Sequence, residues 1–523
     1  MNYVVGIDIG TSGTKAVAFS HDGEILGNAY RSYEPLVTIP GHHELDPVVL
    51  FEAFRGAVTE IIQANRLKGT LSGICFSSAM HSLMLMDNQH QPITNLVTWA
   101  DIRSSEQATR LKNSPEGAGI YRLSGTPIHP MTPLCKIIWY RETEPLLFSK
   151  AARFISIKEY ILFRLTGKYL VDYSIASATG LFDIYELKWN PVALLLAGIR
   201  VDQLSEAVTT THIEEIDFHL DESTQLTTKL VLGASDGCLA NLGSNAVNPG
   251  DVSITIGTSG AVRMVSAAPK YDAKRRIFNY ILTPEIFVSG GPINNGGILL
   301  KWYNENFIHH NPAFHPLDLS GPQHNIGSSA SAAPRLDASL NKSEATDDFE
   351  SFIKIASTVV PGCDGLIFLP YIQGERAPVW DAEAKGVFFG IKSVHTQAHF
   401  MRAIIEAVCF SLKDVSLSLE ETIGPINNIY ASGGFVKSPE WVQILSDIMG
   451  KKIHITDTAD ASSIGAAMLG LYALKALAKV EDAARFLTIQ ETYSPAMEPA
   501  GVYAKNFRIY QTLYEKLKDE FRM

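Results

Sequence analysis

The 523-residue sequence contains few cysteines and no excess of basic residues. Its five cysteines form no CxxC pair and leave one unpaired in any pairing scheme, which argues against a zinc ribbon or a disulfide framework and predicts a reducing, cytoplasmic location. Lys and Arg (44) are outnumbered by Asp and Glu (55), and the net charge of −11 disfavours nucleic acid as a partner. No apolar run approaches a membrane span and no basic segment precedes the first strand-like residues, so neither membrane nor export is predicted.

Two common nucleotide-binding motifs are also missing from the N-terminal segment GIDIGTSGTK. It has neither the GxxxxGK[ST] spacing of a Walker loop nor the GxGxxG of a dinucleotide fold. It does form a tight turn in which Gly10 admits close approach of an anion, Thr11 and Ser12 supply hydroxyl donors, and Lys15 adds a positive charge. We therefore predict a phosphate-binding hairpin, with Asp8 holding a hydrated Mg²⁺ that bridges phosphate oxygens. An ordinary hairpin is the alternative.

This hairpin sequence occurs twice. IDIGTSG at residues 7–13 recurs as ITIGTSG at 254–260, identical at six of seven positions. The wide spacing predicts two domains of related fold, 1–246 and 247–523, each opening with a strand, a Gly/Thr/Ser hairpin and a second strand. Thr255 replaces Asp8 in the second copy, which suggests that the two halves do different work around one nucleotide.

Strand-like and helix-like segments alternate along the chain, which predicts an α/β fold. LSGICFSS, KLVLGAS and INNIYASG are predicted strands, and the Asp46-Pro47 dipeptide predicts a helix start. The stretch from 311 to 348 differs, because it holds four prolines with many Ser, Ala and Asn residues. There we predict a long surface loop.

Two glycine-rich strand ends could carry chemistry. Asp236 follows the strand KLVLGAS and is a candidate general base, although a helix N-cap is an equal alternative. Gly433 and Gly434 precede Ser438-Pro439, where a double glycine would let a flat ring pack on the backbone. A simple strand-to-helix turn would look the same.

Taken together, these motifs resemble the FGGY carbohydrate kinases over nearly the whole chain. IDIGTSGTK, GASDG, ITIGTSG, GERAPVWD and ASGGFVKSPEW occur in the family's order, and GVFFGIKSVHTQAHFMRAIIE fits its C-terminal signature. The upstream signature MTPLCKIIWYRET keeps Lys136 and Trp139 but departs at Tyr140 and Thr143. The resemblance implies two ribonuclease H-like domains of the actin and hexokinase type of ATPase, with a cleft between them, and transfer of a phosphoryl group from ATP with Mg²⁺ as cofactor.

The resemblance also implies roles for individual residues. Asp236 matches the catalytic base, and Asp8 and Asp236 the acids near the metal. The residues expected to contact the nucleotide are Gly10, Thr11, Ser12, Lys15, Thr258, Gly297, Lys301, Gly434 and Ser438. The residues expected to contact the sugar, with Asp236, are Met80, His81, Trp99, Asp101 and Arg103. For His81 the alternative is a core imidazole with satisfied hydrogen bonds.

Within the family, the sequences of two segments are most similar to those of gluconate-phosphorylating members. These segments are SSAMHSLM, with Ala79 where xylulose kinases have Gln, and GGPINNGG. We therefore expect phosphorylation of D-gluconate to 6-phosphogluconate, with Arg263 as a candidate partner for the carboxylate. A pentulose kinase such as xylulose kinase is the alternative enzyme. A nucleotide-switched interaction protein of the actin or Hsp70 kind is a third reading, disfavoured by the sugar-side residues. The sequence leaves the oligomeric state open, a homodimer included.

Overall fold

The structure is a computed structural model and describes residues 1–36, 39–66, 68–221, 223–308, 342–457 and 460–523. The strands are β1 Asn2–Ile9, β2 Gly13–Ser20, β3 Ile25–Ser32, β4 Glu44–Leu45, β5 Thr70–Ser78, β6 Met84–Met86, β7 Leu96–Val97, β8 Arg153–Ile155, β9 Leu170–Asp172, β10 Phe182–Asp183, β11 Lys188–Trp189, β12 Glu206–Val208, β13 Ile213–His219, β14 Gln225–Val231, β15 Asp251–Ile256, β16 Gly260–Ser266, β17 Phe278–Thr283, β18 Ile286–Ile293, β19 Ile367–Leu369, β20 Val387–Phe389, β21 Asn428–Ser432, β22 Ile453–Thr456 and β23 Ile489–Tyr493. The α-helices are α1 Pro47–Asn65, α2 Ser105–Lys112, α3 Pro115–Ser124, α4 Pro133–Thr143, α5 Pro145–Lys150, α6 Ile157–Thr166, α7 Tyr173–Ser177, α8 Pro191–Ala197, α9 Asp236–Gly243, α10 Ile298–Tyr303, α11 Lys342–Ala356, α12 Gln397–Thr422, α13 Pro439–Met449, α14 Ala461–Ala473 and α15 Ala500–Leu517.

The two large sheets repeat one topology. In the first, the strand order is β13-β14-β5-β1-β2-β3, and in the second it is β17-β18-β16-β15-β21-β22-β23. In both sheets an antiparallel hairpin (β1–β2, β15–β16) is followed outward by a third antiparallel strand, while two parallel strands and an antiparallel edge strand lie on the other side. Strand β17 is an addition to the second sheet. The predicted α/β fold with two related halves is confirmed.

The helix starts follow local capping chemistry. Asp46 accepts a hydrogen bond from the amide of Val48, and Pro47 is the first residue of α1, as the sequence predicted. Helix α11 begins at Lys342, so the predicted loop is wrong over 342–348, whereas 311–341 lies outside the described residues. The apolar spacing that marks this helix begins only at Phe349, which explains the error: Phe352 and Ile353 are buried against the core.

Helix α14 comes from the C-terminal half but packs on the first sheet and on α9. A Cβ atom at Gly6 would lie 2.0 Å from the carbonyl oxygen of Ser463, and one at Gly465 would lie 2.0 Å from that of Leu239. Only glycine permits this backbone contact. The two halves therefore share a core, and the domain boundary at 246/247 stays a prediction. No helix among the described residues is long and apolar enough to cross a membrane.

Candidate active site

The two polypeptide segments that carry the predicted base and sugar contacts leave the same edge of the first sheet. Parallel strands β1 and β5 end side by side, with Ile9 opposite Ser78. Ser78 also bridges to Ser235, so the Met80 loop and Asp236 start from adjacent positions. The carboxyl edge of parallel strands is where α/β folds place their ligands.

Asp236 is the first residue of α9, and Ser235 occupies the N-cap position. Oδ1 of Asp236 accepts a hydrogen bond of 2.8 Å from the amide of Gly237, and Asp236 is partly exposed. Burial raises the pKa of Asp236, while the Arg263 guanidinium and the amides of Gly237 and Met80 oppose this shift. A carboxylate with a raised pKa at an accessible strand end is suited to accept a proton.

The first hairpin places Asp8 opposite Lys15 and closes with a 3.0 Å hydrogen bond from the amide of Gly10 to the carbonyl of Gly13. Oδ1 of Asp8 is shielded from solvent and has no hydrogen-bond partner among the described residues. Burial, and then the charge of Asp236, raise the pKa of Asp8 to about 7, against the effects of Ser77 and Lys15. The hairpin thus holds a buried carboxylate whose negative charge a bound cation would stabilise.

The chemistry of these acids fits a hydrated Mg²⁺. No group of three or more His, Cys, Asp or Glu side chains suited to direct metal binding occurs in the described part of the chain. Mg²⁺ commonly keeps several waters and binds through one or two carboxylates together with substrate phosphates. Asp8 and Asp236 are the residues that would hold it, because the charge of Asp236 raises the pKa of Asp8 and a cation would offset that repulsion.

The second hairpin packs against the start of α10. The carbonyl of Gly257 accepts a 2.7 Å hydrogen bond from the amide of Gly297, and the carbonyl of Thr258 accepts one from that of Ile298 at 3.1 Å. Lys301, on the next turn, is exposed and lies 3.7 Å from Glu305. The structure therefore brings Thr258 and Gly297 together and leaves Lys301 accessible at their side.

The double glycine after β21 lies next to this hairpin. Gly433 has φ +102°, and a Cβ there would lie 2.4 Å from the carbonyl oxygen of Ile256, so this position requires glycine. Gly434 is exposed, and apart from its chain neighbours no atom of the described residues lies within 4 Å of the place where its Cβ would be. Ser438 is buried and caps α13 through the amide of Trp441. Gly434 thus offers an open backbone surface, whereas the Ser438 side chain is engaged in the cap.

The first hairpin and the sugar-side loops meet at a small cavity. Gly10, Thr11, Met80 and Trp99 are among the residues that line this cavity of about 10 Å³. Two residues predicted for the nucleotide and two predicted near the sugar are therefore in one place. This proximity is what a direct transfer between two bound substrates requires.

His81 is almost fully enclosed by protein groups. Its Nδ1 lies 2.7 Å from the carbonyl oxygen of Ala178, and its Nε2 lies 3.2 Å from the Tyr280 hydroxyl. Burial, and the nearby charge of Lys136, lower the pKa of His81 to about 3, so the ring is neutral. Nε2 then accepts from Tyr280, and a sugar hydroxyl could bond to it only by replacing that group. The sugar contact of His81 stays a prediction.

Asp101 and Arg103, which follow Trp99 in the sequence, form an ion pair with each other. The Arg103 guanidinium donates to both carboxylate oxygens of Asp101 at 2.8 Å and to Glu44 at 2.6 Å. Asp101 also accepts from the amide of His43, and hydrogen bonds to it hold its pKa below the usual range despite burial. These side chains are thus engaged with each other, with Glu44 and with His43, and their contact with a polyol stays a prediction.

Arg263 lies beside Asp236, and a second arginine, Arg376, is near enough for the charge of Arg263 to lower its pKa; the sequence had identified only Arg263 as a candidate. Arg263 is on β16, and its Nη1 is buried without a hydrogen-bond partner in the described part of the chain. Arg376, from the GERAPVWD segment, lies over the Trp99 ring at 4.8 Å and donates to Asn294 Oδ1 at 2.6 Å. The GGPINNGG and GERAPVWD segments thus bind each other, which their separate motifs do not reveal.

A third acid was missed as well. Asp460 immediately precedes α14, and its Oδ1 lies 2.5 Å from Nζ of Lys15 in the first hairpin. Its sequence context, DASSIGAA, carries no recognisable binding pattern. Only the packing of α14 on the first sheet brings Asp460 to the site.

Comparisons with known proteins identify the family of the chain. The family models for the N-terminal and C-terminal domains of the FGGY family of carbohydrate kinases match residues 3–243 and 252–474. A gluconokinase from Bacillus licheniformis is 38% identical over 99% of this chain and 97% of that protein, and a xylulose kinase from Staphylococcus epidermidis is 26% identical over 98% and 97%. The crystal structure of a gluconate kinase from Lactobacillus acidophilus superposes with a TM-score of 0.86 at 31% identity, covering 99% of this chain and 98% of that one. A ligand-bound xylulose kinase from the same species gives 0.87 at 30% identity, covering 100% and 99%.

Proposed function

We propose, since the chain belongs to the FGGY family of carbohydrate kinases, that it phosphorylates D-gluconate on its terminal hydroxyl. The chain is a carbohydrate kinase, and membership of the family implies ATP as the phosphoryl donor. Gluconate is supported by the 38% identity to gluconokinases, against 26% to xylulose kinases. The single structural observation that carries the choice is the Arg263 guanidinium near Asp236, whose Nη1 is buried without a hydrogen-bond partner among the described residues.

In the proposed reaction Asp236 accepts the proton of the terminal hydroxyl of the sugar acid. At the same time the oxygen of that hydroxyl bonds to the γ-phosphorus of ATP. The bond between that phosphorus and the bridging oxygen breaks, and ADP leaves with the electron pair. Such a transfer depends mainly on positioning and charge stabilisation. The two hairpins hold the phosphates, and Asp8 with Asp236 would hold a hydrated Mg²⁺ that supplies charge neutralisation.

Arg263 is suited to bind the carboxylate of a sugar acid. It forms no ion pair within 4.0 Å of a carboxylate among the described residues, although Asp236 is the acid that acts on it most strongly. Arg376 is nearby, and two of its three nitrogens already donate, to Asn294 and to the carbonyl of Ile293. A bound carboxylate would offset the repulsion between these guanidinium groups, which a neutral sugar cannot do.

The experiment that tests the proposal is a kinase assay of the purified protein with gluconate, glucitol and xylulose. Gluconate should exceed both neutral substrates in kcat/KM by roughly 10- to 150-fold, the value of about 1.5 to 3 kcal/mol for a charge-assisted hydrogen bond. Arg263→Met should remove most of this preference, while Arg200→Met, which alters an exposed arginine paired with Asp202, should keep it. Better turnover of xylulose would overturn the substrate and leave the kinase assignment intact.

A further inference from the structure

Lys136 is a fully buried lysine in the upstream signature segment, to which the proposed mechanism gives no role. It lies on α4, whose N-cap Thr132 accepts a hydrogen bond from the amide of Cys135. The Lys136 side chain is 0% exposed. No carboxylate of the described residues lies within 4.0 Å of its ammonium group. A buried ammonium without an ion pair is costly, so its retention calls for a reason.

The ammonium group joins the two loops that form the sugar side of the site. Nζ of Lys136 donates to the carbonyl oxygen of His81 at 2.7 Å and to that of Thr98 at 2.7 Å. His81 directly follows Met80, and Thr98 directly precedes Trp99, the two side chains that face the small cavity next to the first hairpin. Lys136 thus connects, through two hydrogen bonds, the loop that carries Met80 and the loop that carries Trp99.

One of these loops has a backbone that needs such support. His81 has φ +66°, in the left-handed region that residues other than glycine rarely adopt. Its imidazole is fixed on one side by Ala178 and Tyr280, and its carbonyl is fixed on the other by Lys136. Release of the carbonyl would free the peptide to turn and would move Met80.

We propose that Lys136 is a positioning residue that sets the distance between Met80 and Trp99, and hence the orientation of the sugar. The inference rests on the proposed function only in requiring a sugar substrate, so the assay uses whichever sugar the wild-type enzyme phosphorylates. An inactive wild-type enzyme would overturn the proposed function. If the wild-type enzyme is active and the Lys136 variant has the same KM for the sugar, only the role of Lys136 is overturned.

The first test is Lys136→Met, which keeps the length of the side chain and removes the donor. The KM for the sugar should rise roughly 10-fold or more, because small displacements of a bound substrate cost up to about 10²-fold in rate. The KM for ATP should stay within about twofold, since the two hydrogen bonds of Lys136 go to His81 and Thr98, neither of which is predicted to contact the nucleotide. Lys413→Met is the matched control: it removes a partly buried lysine that donates to the carbonyl of Ile448 in the other half, and both KM values should stay unchanged. Equal changes in both KM values for Lys136→Met, or no change, would overturn the proposal.

Lys136→Arg provides a second measurement, which is decisive even where the methionine variant does not fold. Burial lowers the pKa of Lys136 to about 7, with Asp101 opposing this shift and Arg103 adding to it. The other titratable groups that face Lys136 are Cys135, His81 and His129. Arginine can donate to both carbonyls and stays charged.

The pH dependence separates a charged tether from simple packing. As pH rises through about 7, the wild-type ammonium loses its proton and its two hydrogen bonds weaken. The ratio of kcat/KM for the sugar, wild type to Lys136→Arg, should therefore fall between pH 6 and 8.5, that is, from about one pH unit below this pKa to about one and a half units above it. Both enzymes share Asp8 and Asp236, so these acids cancel in the ratio. A ratio that is constant over this range would contradict a role for the charge.

Discussion

The two Gly-Thr-Ser-Gly hairpins share a sequence but use the preceding strand differently. In the first, Asp8 lies opposite Lys15 and keeps an oxygen without a partner among the described residues. In the second, Thr255 lies opposite Ala261, and its hydroxyl lies 3.2 Å from that of Ser432 on the neighbouring parallel strand. The strand before the turn therefore carries a carboxylate that is available to a ligand in the first half, whereas in the second half it carries a hydroxyl that bonds to the neighbouring strand.

This difference shows how a repeated unit can supply an asymmetric site. Both turns present backbone amides suited to phosphate. Only the first half adds Asp8 and, at the end of its third parallel strand, Asp236. In the proposed mechanism the base and the metal-binding acids thus belong to the first half, while the second half brings Asp460 to Lys15 and contributes the open glycine surface at Gly434. Three substitutions test this division, from the largest expected effect to the smallest.

The largest effect is expected for Asp236→Asn, which keeps the shape of the side chain and removes the proton acceptor. The kcat should fall by roughly 10²- to 10⁴-fold, with nucleotide binding nearly intact. Steady-state kinetics with calorimetry of ADP binding measure both quantities. A kcat near that of the wild type would remove Asp236 from the role of base.

Asp8→Thr makes the first hairpin match the second. Activity at low Mg²⁺ should fall by roughly 10- to 100-fold, the usual consequence of losing an outer ligand, and high Mg²⁺ should restore part of it. Metal-free ADP should bind as in the wild type, because the backbone amides remain. Calorimetry with and without metal makes the measurement. Equal loss of both would assign Asp8 to folding instead.

The smallest effect is expected for Thr255→Val, which removes the hydroxyl and keeps the β-branched shape that suits a strand. The free energy of unfolding should fall by about 1 kcal/mol through loss of the bond to Ser432, and kcat and its Mg²⁺ dependence should not change. Denaturant unfolding and the kinase assay test the two parts. A changed Mg²⁺ dependence would show that the second hairpin also serves the metal.

Local sequence was sufficient for most of the architecture. The repeated hairpin predicted two related halves, and capping residues such as Asp46 predicted helix starts, because both depend on short-range geometry. The double glycine at 433 and 434 predicted a backbone surface for a flat ring, and the close carbonyl of Ile256, which requires glycine at 433, was not predicted. The sequence predicted Asp236 at the end of a strand, with a helix N-cap as the alternative, and the structure has it as the first residue of α9, after the N-cap Ser235.

Side-chain partners at long range could not be predicted from the sequence. Whether His81 faces a ligand or the core depends on Tyr280, which is 199 residues away. Arg376 depends in the same way on Asn294, and Lys15 on Asp460. Each contact forms only when distant segments pack, and none has a periodic or capping pattern that would mark it in advance.

The packing of α14 on the first sheet has a consequence for synthesis of the chain. The first sheet and α9 are complete by Gly243, yet the face that α14 covers must wait for residues 461–473, about 220 residues later. At roughly 5 to 20 residues per second, that interval is on the order of 10 to 45 s. During this time the apolar surface formed by Val4, Cys75 and Leu239 stays uncovered on the nascent chain. Slow translation of the C-terminal half should therefore favour aggregation, and binding by chaperones that recognise apolar surface would protect this half-finished protein.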